Sequence, residues 1–365
     1  MAMRIYSVIG ARPQFVKAAV VSRALAGHRN VVERLVHTGQ HYDPMMSDIF
    51  FTELGLPAPH VNLGIGSGSH GVQTGRMLEA LESLFIAEKP DRVLIYGDTN
   101  STLAAALTAA KLGIPVDHIE AGLRSFNRAM PEEINRVVAD ALSDMLFAPT
   151  DTAVGHLRRE GIPDSRIHRV GDVMYDATLL FGSRADAAAV KRLGLTPKTY
   201  VLATIHRAEN TDDPDRLRTL FDALRRVAAE LPVILPLHPR TRQRAATIGL
   251  LDRLPGGFIL TEPVGYFDML ALERDARVIA TDSGGVQKEA FFHHVPCVTL
   301  RTETEWVELV NSGWNRLAPP DNAVDVAAAI LAAASLNLAA LAHPDAYGDG
   351  HAAEHIASRL ASLAS

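Results

Sequence analysis

In chains that alternate apolar runs with helix-length segments, ligands bind beyond the carboxyl ends of parallel strands, so the residues just after each run deserve reading first. Gly10 and Arg12 follow the first run, with Lys17 a turn further on, and His37-Thr38-Gly39-Gln40-His41 follow the second. The third ends at Gly97-Asp98 and the fourth at Glu120-Ala121-Gly122-Leu123-Arg124, while the second half contributes His206-Arg207, His238 and Asp282-Ser283-Gly284-Gly285. The two glycines after Ser283 let backbone N–H groups approach an anion at a helix N-terminus, which makes a phosphate the natural guest. The rival reading is a plain turn in which Asp282 or Ser283 caps the helix. Arg12 lies in a tight Gly10-Ala11-Arg12-Pro13 turn that begins a helix and suits a phosphate contact, and Lys17 is either a second contact or a surface charge.

The carboxylates carry a different chemistry. Asp98 precedes Thr99-Asn100-Ser101, any of which can cap the following helix, so a capping role competes with a catalytic one. Glu120 ends a buried apolar run, where an ionisable group is costly unless it is paired or used, and Arg124 is its expected partner. Glu132 and Glu133 follow Pro131 in a first helical turn, where acids often serve only the helix dipole. His206 stands alone at a strand end. Other signals fail. Gly66-Ser67-Gly68-Ser69-His70-Gly71 spells G-x-G-x-x-G, but residues 60–63 before it are too short and polar for the strand that a dinucleotide site needs, so a mobile loop is expected. There is no G-x-x-x-x-G-K-[ST] loop and no H-E-x-x-H spacing, and neither a metal nor a cofactor is expected.

The elements that must position these groups are apolar runs at 5–9, 31–36, 93–96, 116–119, 145–148 and 167–170, then at 200–205, 233–237, 258–260, 278–280 and 297–300. Between them lie helix-length segments, which predicts an α/β fold of two doubly wound, Rossmann-like domains. Residues 182–199, polar and Ala-rich, are the expected passage between the lobes, and two facing lobes would converge the strand ends on one cleft. After Pro214, Leu217, Leu220, Phe221, Leu224 and Leu231 fall on one helical stripe. With 365 residues and 47% apolar composition the chain can build two cores. A net charge of −6 argues against a nucleic-acid partner. The Ala-rich stretch 323–342 carries Asp325 and Asn337 and reads as a surface helix rather than a membrane span. The first residues run straight into a strand pattern without the zones of a signal peptide, and the single cysteine, Cys297, suits a buried small hydrophobe. A soluble, cytoplasmic protein is expected.

The strings Gly10-Ala11-Arg12-Pro13-Gln14, Tyr96-Gly97-Asp98-Thr99, His118-Ile119-Glu120-Ala121-Gly122-Leu123-Arg124, Pro131-Glu132-Glu133-Ile134-Asn135-Arg136, Thr281-Asp282-Ser283-Gly284-Gly285-Val286-Gln287-Lys288-Glu289 and Tyr347-Gly348-Asp349-Gly350 together resemble the non-hydrolysing UDP-N-acetylglucosamine 2-epimerases over essentially the full length. The resemblance implies a GT-B-like fold with domains at 1–172 and 173–345 and a helix at 346–365 crossing back to the first, a homodimer, and UDP and a UDP-sugar as the ligands. It implies that Asp98, Glu120 and Glu132 are the acid/base carboxylates and His206 the diphosphate-contacting histidine. Arg12, Lys17, Ser283, Gly284 and Gly285 look like phosphate binders and Glu289 like the ribose contact; Gln40, Arg136, His238 and Arg301 complete the implied binding set. Common members have Thr and Glu in place of Ala11 and Gln14, and an arginine in place of Trp306. The branch activated by a second UDP-N-acetylglucosamine molecule carries Arg-Gln at Tyr42-Asp43, so that activation is not implied here. Gln14, Tyr42 and Trp306 are instead similar to enzymes that epimerise UDP-2,3-diacetamido-2,3-dideoxyglucuronate in surface-polysaccharide synthesis. Alternatives are a hydrolysing relative, a GT-B glycosyltransferase and a nucleotide-sugar sensor without turnover.

Overall fold

The computed structural model describes residues 2–40, 51–185 and 188–364, so His41, Tyr42 and Asp43 lie outside the described residues. The chain divides into two compact units, Met1–Leu180 with Asp345–Ser365, and Phe181–Pro344. Unit 1 is built on a parallel seven-stranded sheet: β1 (Met3–Ile9), β2 (Val31–His37), β3 (Val61–Asn62), β4 (Arg92–Tyr96), β5 (Val116–Ile119), β6 (Met145–Ala148) and β7 (Ile167–Arg169). The strands are ordered β3-β2-β1-β4-β5-β6-β7, so the winding reverses between β1 and β4. Unit 2 repeats the pattern with β8 (Val201–Thr204), β9 (Val233–Pro236), β10 (Phe258–Thr261), β11 (Val278–Thr281), β12 (Cys297–Thr299) and β13 (Asn315–Leu317). Their order is β10-β9-β8-β11-β12-β13, with the reversal between β8 and β11. These are the doubly wound sheets that the alternating runs require, and their switch points are where such sheets hold ligands.

Each sheet is buried on both faces. In unit 1, Tyr6, Val8, Val93 and Ile95 meet Met77, Leu81 and Phe85 of the helix His70–Glu88 and the alanines of Asn100–Lys111, whose small side chains allow close approach. In unit 2 the helix Pro214–Val227 starts at Asp213, whose side chain accepts the N–H groups of Asp215 and Arg216, with Pro214 in its first turn. It buries Leu217, Leu220, Phe221 and Leu224 against the sheet, each worth about 1.5–3 kcal/mol. Leu231, placed on that stripe from its spacing, lies past the end of the helix and packs only partly buried. The Ala-rich segment forms the helix Ala323–Ala334, half sunk through Val326, Ala327 and Ile330. Cys297 is buried in β12, and burial pushes its thiol above the usual range.

Two edge strands escape the apolar-run criterion. Among the described residues Val61–Asn62 pairs only with Val36 and His37 of β2, and Asn315–Leu317 only with β12. The G-x-G-x-x-G stretch is a loop that turns into the helix beginning at His70. At the C-terminus, the Tyr347 carbonyl accepts the Asp172 N–H at 2.9 Å. The Asp176 carboxylate accepts the N–H groups of Ala352 (3.2 Å) and Ala353 (2.7 Å), anchoring the start of the helix Ala352–Ala361 on unit 1, where it packs on Arg12–Leu25. No helix among the described residues is long and apolar enough to cross a membrane.

Candidate active site

At the switch point of unit 1 the carboxylates are ion-paired at neighbouring strand ends. Lys17 reaches from the helix Arg12–Leu25 to the Glu120 carboxylate, and both side chains are almost fully buried. Glu120 has φ +71°, a left-handed backbone that a non-glycine residue adopts at a cost of about 1–3 kcal/mol. Gly97, at φ +61° beside it, leaves the space the pair occupies: a Cβ there would lie 3.1 Å from Glu120 Oε2 and 3.3 Å from Lys17 Nζ. Lys17 therefore meets a carboxylate rather than lying on the surface. Arg124 does not partner Glu120. Its guanidinium binds Asp140 at 2.7 Å and Glu160 at 2.6 Å, because its turn carries the side chain away from the strand end.

Asp98 is held from the helix Pro131–Leu142. Arg136 donates to Asp98 Oδ2 through Nη2 at 2.6 Å and Nε at 2.9 Å, and Asn135 Nδ2 donates to the Asp98 carbonyl at 2.8 Å. Capping of the next helix falls to Thr99, whose hydroxyl accepts the Thr102 N–H, so the Asp98 carboxylate is left to Arg136. Of the two first-turn acids, Glu133 is buried: it accepts from Ser125 N (2.9 Å), Phe126 N (3.0 Å) and Arg136 Nη1 (2.9 Å). Burial raises its carboxyl, and these donors more than reverse that, leaving it below the usual range. The Glu132 residue is half-buried, and its side chain makes no hydrogen bond or ion pair with the described residues.

Around these groups the turns are cross-braced by amides. Gln14 Oε1 accepts from Gly10 N (2.8 Å) and Ala11 N (3.0 Å), while Nε2 donates to the Tyr96 carbonyl (2.8 Å) and Thr102 (3.1 Å). This one buried side chain fixes the Arg12 turn to the end of β4, a role its position in the first turn of a helix gave no means to foresee. Gln40 Oε1 accepts from Ser101 N at 3.0 Å and Oγ at 2.7 Å. Arg12 sits half-buried at the start of its helix.

In unit 2 the switch point is organised by Asp282, which is fully buried. It accepts from His206 N and Arg207 N (3.1 and 3.0 Å), Asn210 Nδ2 (3.1 Å) and His206 Nδ1 (3.1 Å). Burial raises the Asp282 carboxyl; the His206 ring, Asn210 and the Arg207 N–H together bring it below the usual range. The His206 side chain is 53% exposed, with its Nδ1 held and Nε2 available. Ser283 caps the helix Gly284–Phe292 through the Val286 N–H, so the capping and anion-cradling readings meet in one turn. The Glu289 carboxylate points back to that turn, 4.0 Å from where a Gly285 Cβ would lie.

Two side chains not singled out as ligands close in on the same turn: a Gly284 Cβ would meet Glu305 Oε1 at 2.7 Å and the Trp306 indole nitrogen at 3.4 Å. Trp306 takes the Lys288 ammonium over its ring at 4.1 Å. Arg301 is buried, with Glu305 at 3.1 Å and Glu209 at 3.8 Å meeting its charge. His238 caps the helix Pro239–Thr247 from an exposed position. Unit 1 thus gathers Lys17, Asp98, Glu120 and Arg136, and unit 2 gathers His206, Ser283, Gly284, Gly285 and Glu289. Among the described residues no group of His, Cys, Asp and Glu is placed to hold a metal ion.

The chain matches a family model described as UDP-N-acetylglucosamine 2-epimerase over residues 23–361. It is 49% identical over 367 residues to the UDP-2,3-diacetamido-2,3-dideoxy-D-glucuronate 2-epimerase of Pseudomonas aeruginosa, covering 99% of this chain and 100% of the relative. It is 45% identical to a UDP-N-acetylglucosamine 2-epimerase of Methanocaldococcus jannaschii, covering 86% of this chain and 88% of that protein. A crystal structure of the Methanocaldococcus jannaschii UDP-GlcNAc 2-epimerase in complex with UDP-GlcNAc and UDP superposes with a TM-score of 0.91 at 42% identity, over 99% of this chain and 100% of the other. The Neisseria meningitidis enzyme bound to UDP-GlcNAc gives 0.89 at 28% identity, over 99% of this chain and 100% of the other.

Proposed function

The chain belongs to the UDP-N-acetylglucosamine 2-epimerase family, and from that premise we propose that it interconverts UDP-N-acetylglucosamine and UDP-N-acetylmannosamine by eliminating UDP and adding it back. It is an isomerase with two Rossmann-like, GT-B-type units. The reading is carried by the two ion-paired acids, Asp98 with Arg136 and Glu120 with Lys17, at adjacent strand ends of unit 1. The proton on carbon 2 has no neighbouring carbonyl along the ring and is not acidic in the intact sugar. Departure of UDP with the electrons of the carbon 1–oxygen bond leaves positive charge at carbon 1, and the carbon 2 proton then passes to a carboxylate as the carbon 1–carbon 2 double bond forms. Return of a proton to the opposite face, with UDP oxygen rejoining carbon 1, completes the inversion without any change in oxidation state.

A lone group would tend to return the proton to the side it left, so the inversion calls for acids on two faces, drawn from Asp98, Glu120 and Glu132. Leaving-group charge falls to unit 2: His206, aimed by Asp282, and the amides after Ser283, with Arg12 as a further clamp. Such preorganised donors usually supply the largest share of catalysis, and a positioned acid or base about 10²–10⁴-fold. This reading carries with it a cytoplasmic homodimer and a place in surface-polysaccharide synthesis.

A second reading, epimerisation of UDP-2,3-diacetamido-2,3-dideoxyglucuronate, is favoured by the full-length match to the Pseudomonas aeruginosa enzyme. The test is proton NMR of each UDP-sugar incubated with the protein in deuterated water. Deuterium at carbon 2 of an epimerised product supports elimination and re-addition, and the substrate that turns over decides between the readings. Inversion without solvent exchange, or release of UDP without an epimerised nucleotide sugar, would reject the mechanism.

A further inference from the structure

Beneath the two acid-bearing turns of unit 1 lies a buried polar cluster to which the reaction above assigns no part. Its centre is Asp140, on the inner face of the helix Pro131–Leu142 and 1% exposed. Asp140 Oδ1 lies 2.7 Å from His118 Nδ1, and His118 Nε2 lies 2.7 Å from the Gly97 carbonyl, so each nitrogen of this fully buried ring faces an oxygen within hydrogen-bond distance. Asp140 Oδ2 accepts the Gly122 N–H at 3.0 Å and an Arg124 N–H at 2.7 Å. Burial raises the Asp140 carboxyl, and His118 and Arg124 outweigh that, holding it below the usual range. One carboxylate therefore grips two turns at once. Through His118 it holds the Gly97 carbonyl, the peptide that leads into Asp98. Through Gly122 it holds the turn two residues after Glu120, whose own left-handed backbone is strained for a non-glycine residue. The helix that carries Asp140 also carries Arg136, which binds Asp98 directly.

We infer that Asp140 and His118 are positioning residues for the epimerisation, setting the separation of the Asp98 and Glu120 carboxylates from below. Neither side chain is exposed, so neither acts on the sugar itself. The inference rests on the proposed role of those acids at carbon 2, where a misplacement of about 1 Å costs on the order of 10²-fold in rate.

The test compares wild type, Asp140→Asn, His118→Gln and, as a control, Glu160→Gln, which removes a partly exposed partner of Arg124 that touches neither turn. With whichever UDP-sugar the wild type epimerises, Asp140→Asn and His118→Gln should lower kcat about 100-fold. KM and calorimetric UDP affinity should stay within a few-fold of wild type, since neither Asp140 nor His118 touches the proposed diphosphate contacts His206, Ser283 and Arg12. Both variants should also release a larger share of turnovers as free UDP plus unsaturated sugar, a partition that a fold defect alone would not move, and Glu160→Gln should match wild type. If folded Asp140→Asn and His118→Gln keep wild-type kcat and partition, or if kcat falls only in step with lost near-UV circular dichroism, the inference is wrong. A wild-type protein inert on both UDP-sugars would instead overturn the epimerase reading on which it rests.

Discussion

Lys17 offers a sharp test, because a phosphate clamp and a buried counter-ion respond to substitution in different ways. The pair it forms with Glu120 leaves the two side chains only 10% and 7% exposed. Replacing Lys17 with Met keeps most of the packing volume and takes the ammonium away from a carboxylate in a desolvated site, and removal of one partner of such a pair costs about 3–5 kcal/mol. In Lys17→Met/Glu120→Gln both charges of the pair are gone, so most of that loss should be recovered. With a urea dependence of about 2–3 kcal/mol per M, the single variant should unfold unit 1 about 1–2 M earlier than wild type. The two tryptophans, Trp306 and Trp314, lie in unit 2, so their fluorescence follows that unit while far-ultraviolet circular dichroism follows both. The expected result is a circular dichroism transition that moves ahead of an unmoved fluorescence transition, restored in the double variant. A single variant within 1 kcal/mol of wild type, or a double variant no more stable than the single, would refute the buried pair. Weakened UDP binding at unchanged stability would point instead to the phosphate role suggested by its place one turn after Arg12.

Backbone and proton linkage give two further checks. Gly122 has φ +83°, and a Cβ there would come within 2.5 Å of the Ala153 carbonyl oxygen, whereas Gly113, at φ +68°, has nothing within 4 Å. Both Gly→Ala changes incur about 1–2 kcal/mol of left-handed strain, but only Gly122→Ala adds a clash with backbone, so thermal unfolding should show it distinctly less stable than Gly113→Ala; equal losses would deny the contact. Asp140 and Asp282 both ionise more readily than their ordinary 3.8 in the folded chain. The stability they contribute is therefore fully present above pH 3.8 and is lost as the pH falls through their lowered values. In melting curves from pH 6 to 2, Asp282→Asn should start lower than wild type and decline less steeply below pH 3.8; parallel curves would contradict the shift.

What sequence reading reached, and where it stopped, follows from which interactions are local. Apolar runs fix strands because a strand buried on both faces must be apolar throughout, so the strand ends carrying Asp98, Glu120, His206 and Ser283 were legible. Edge strands face that demand on one side only, which is why Val61–Asn62 and the polar start of Asn315–Leu317 left no such run. Pairings are harder still, because they depend on sheet order. Arg124 looked like the partner of Glu120 from four residues away, yet a left-handed residue at 120 and a turn at Gly122 send the two side chains apart. Lys17 lies more than a hundred residues from Glu120 in the chain, and the two meet because the reversal of winding sets β1 beside β4 and β5 beyond it. The same geometry explains Gln14: spacing along the chain reads it only as a variant of the family pattern, but with β4 next door its amide has a carbonyl and a hydroxyl to bind. Spacing along one element thus identifies which groups stand at the strand ends, and the crossing between elements decides which of them are charged partners and which are braces.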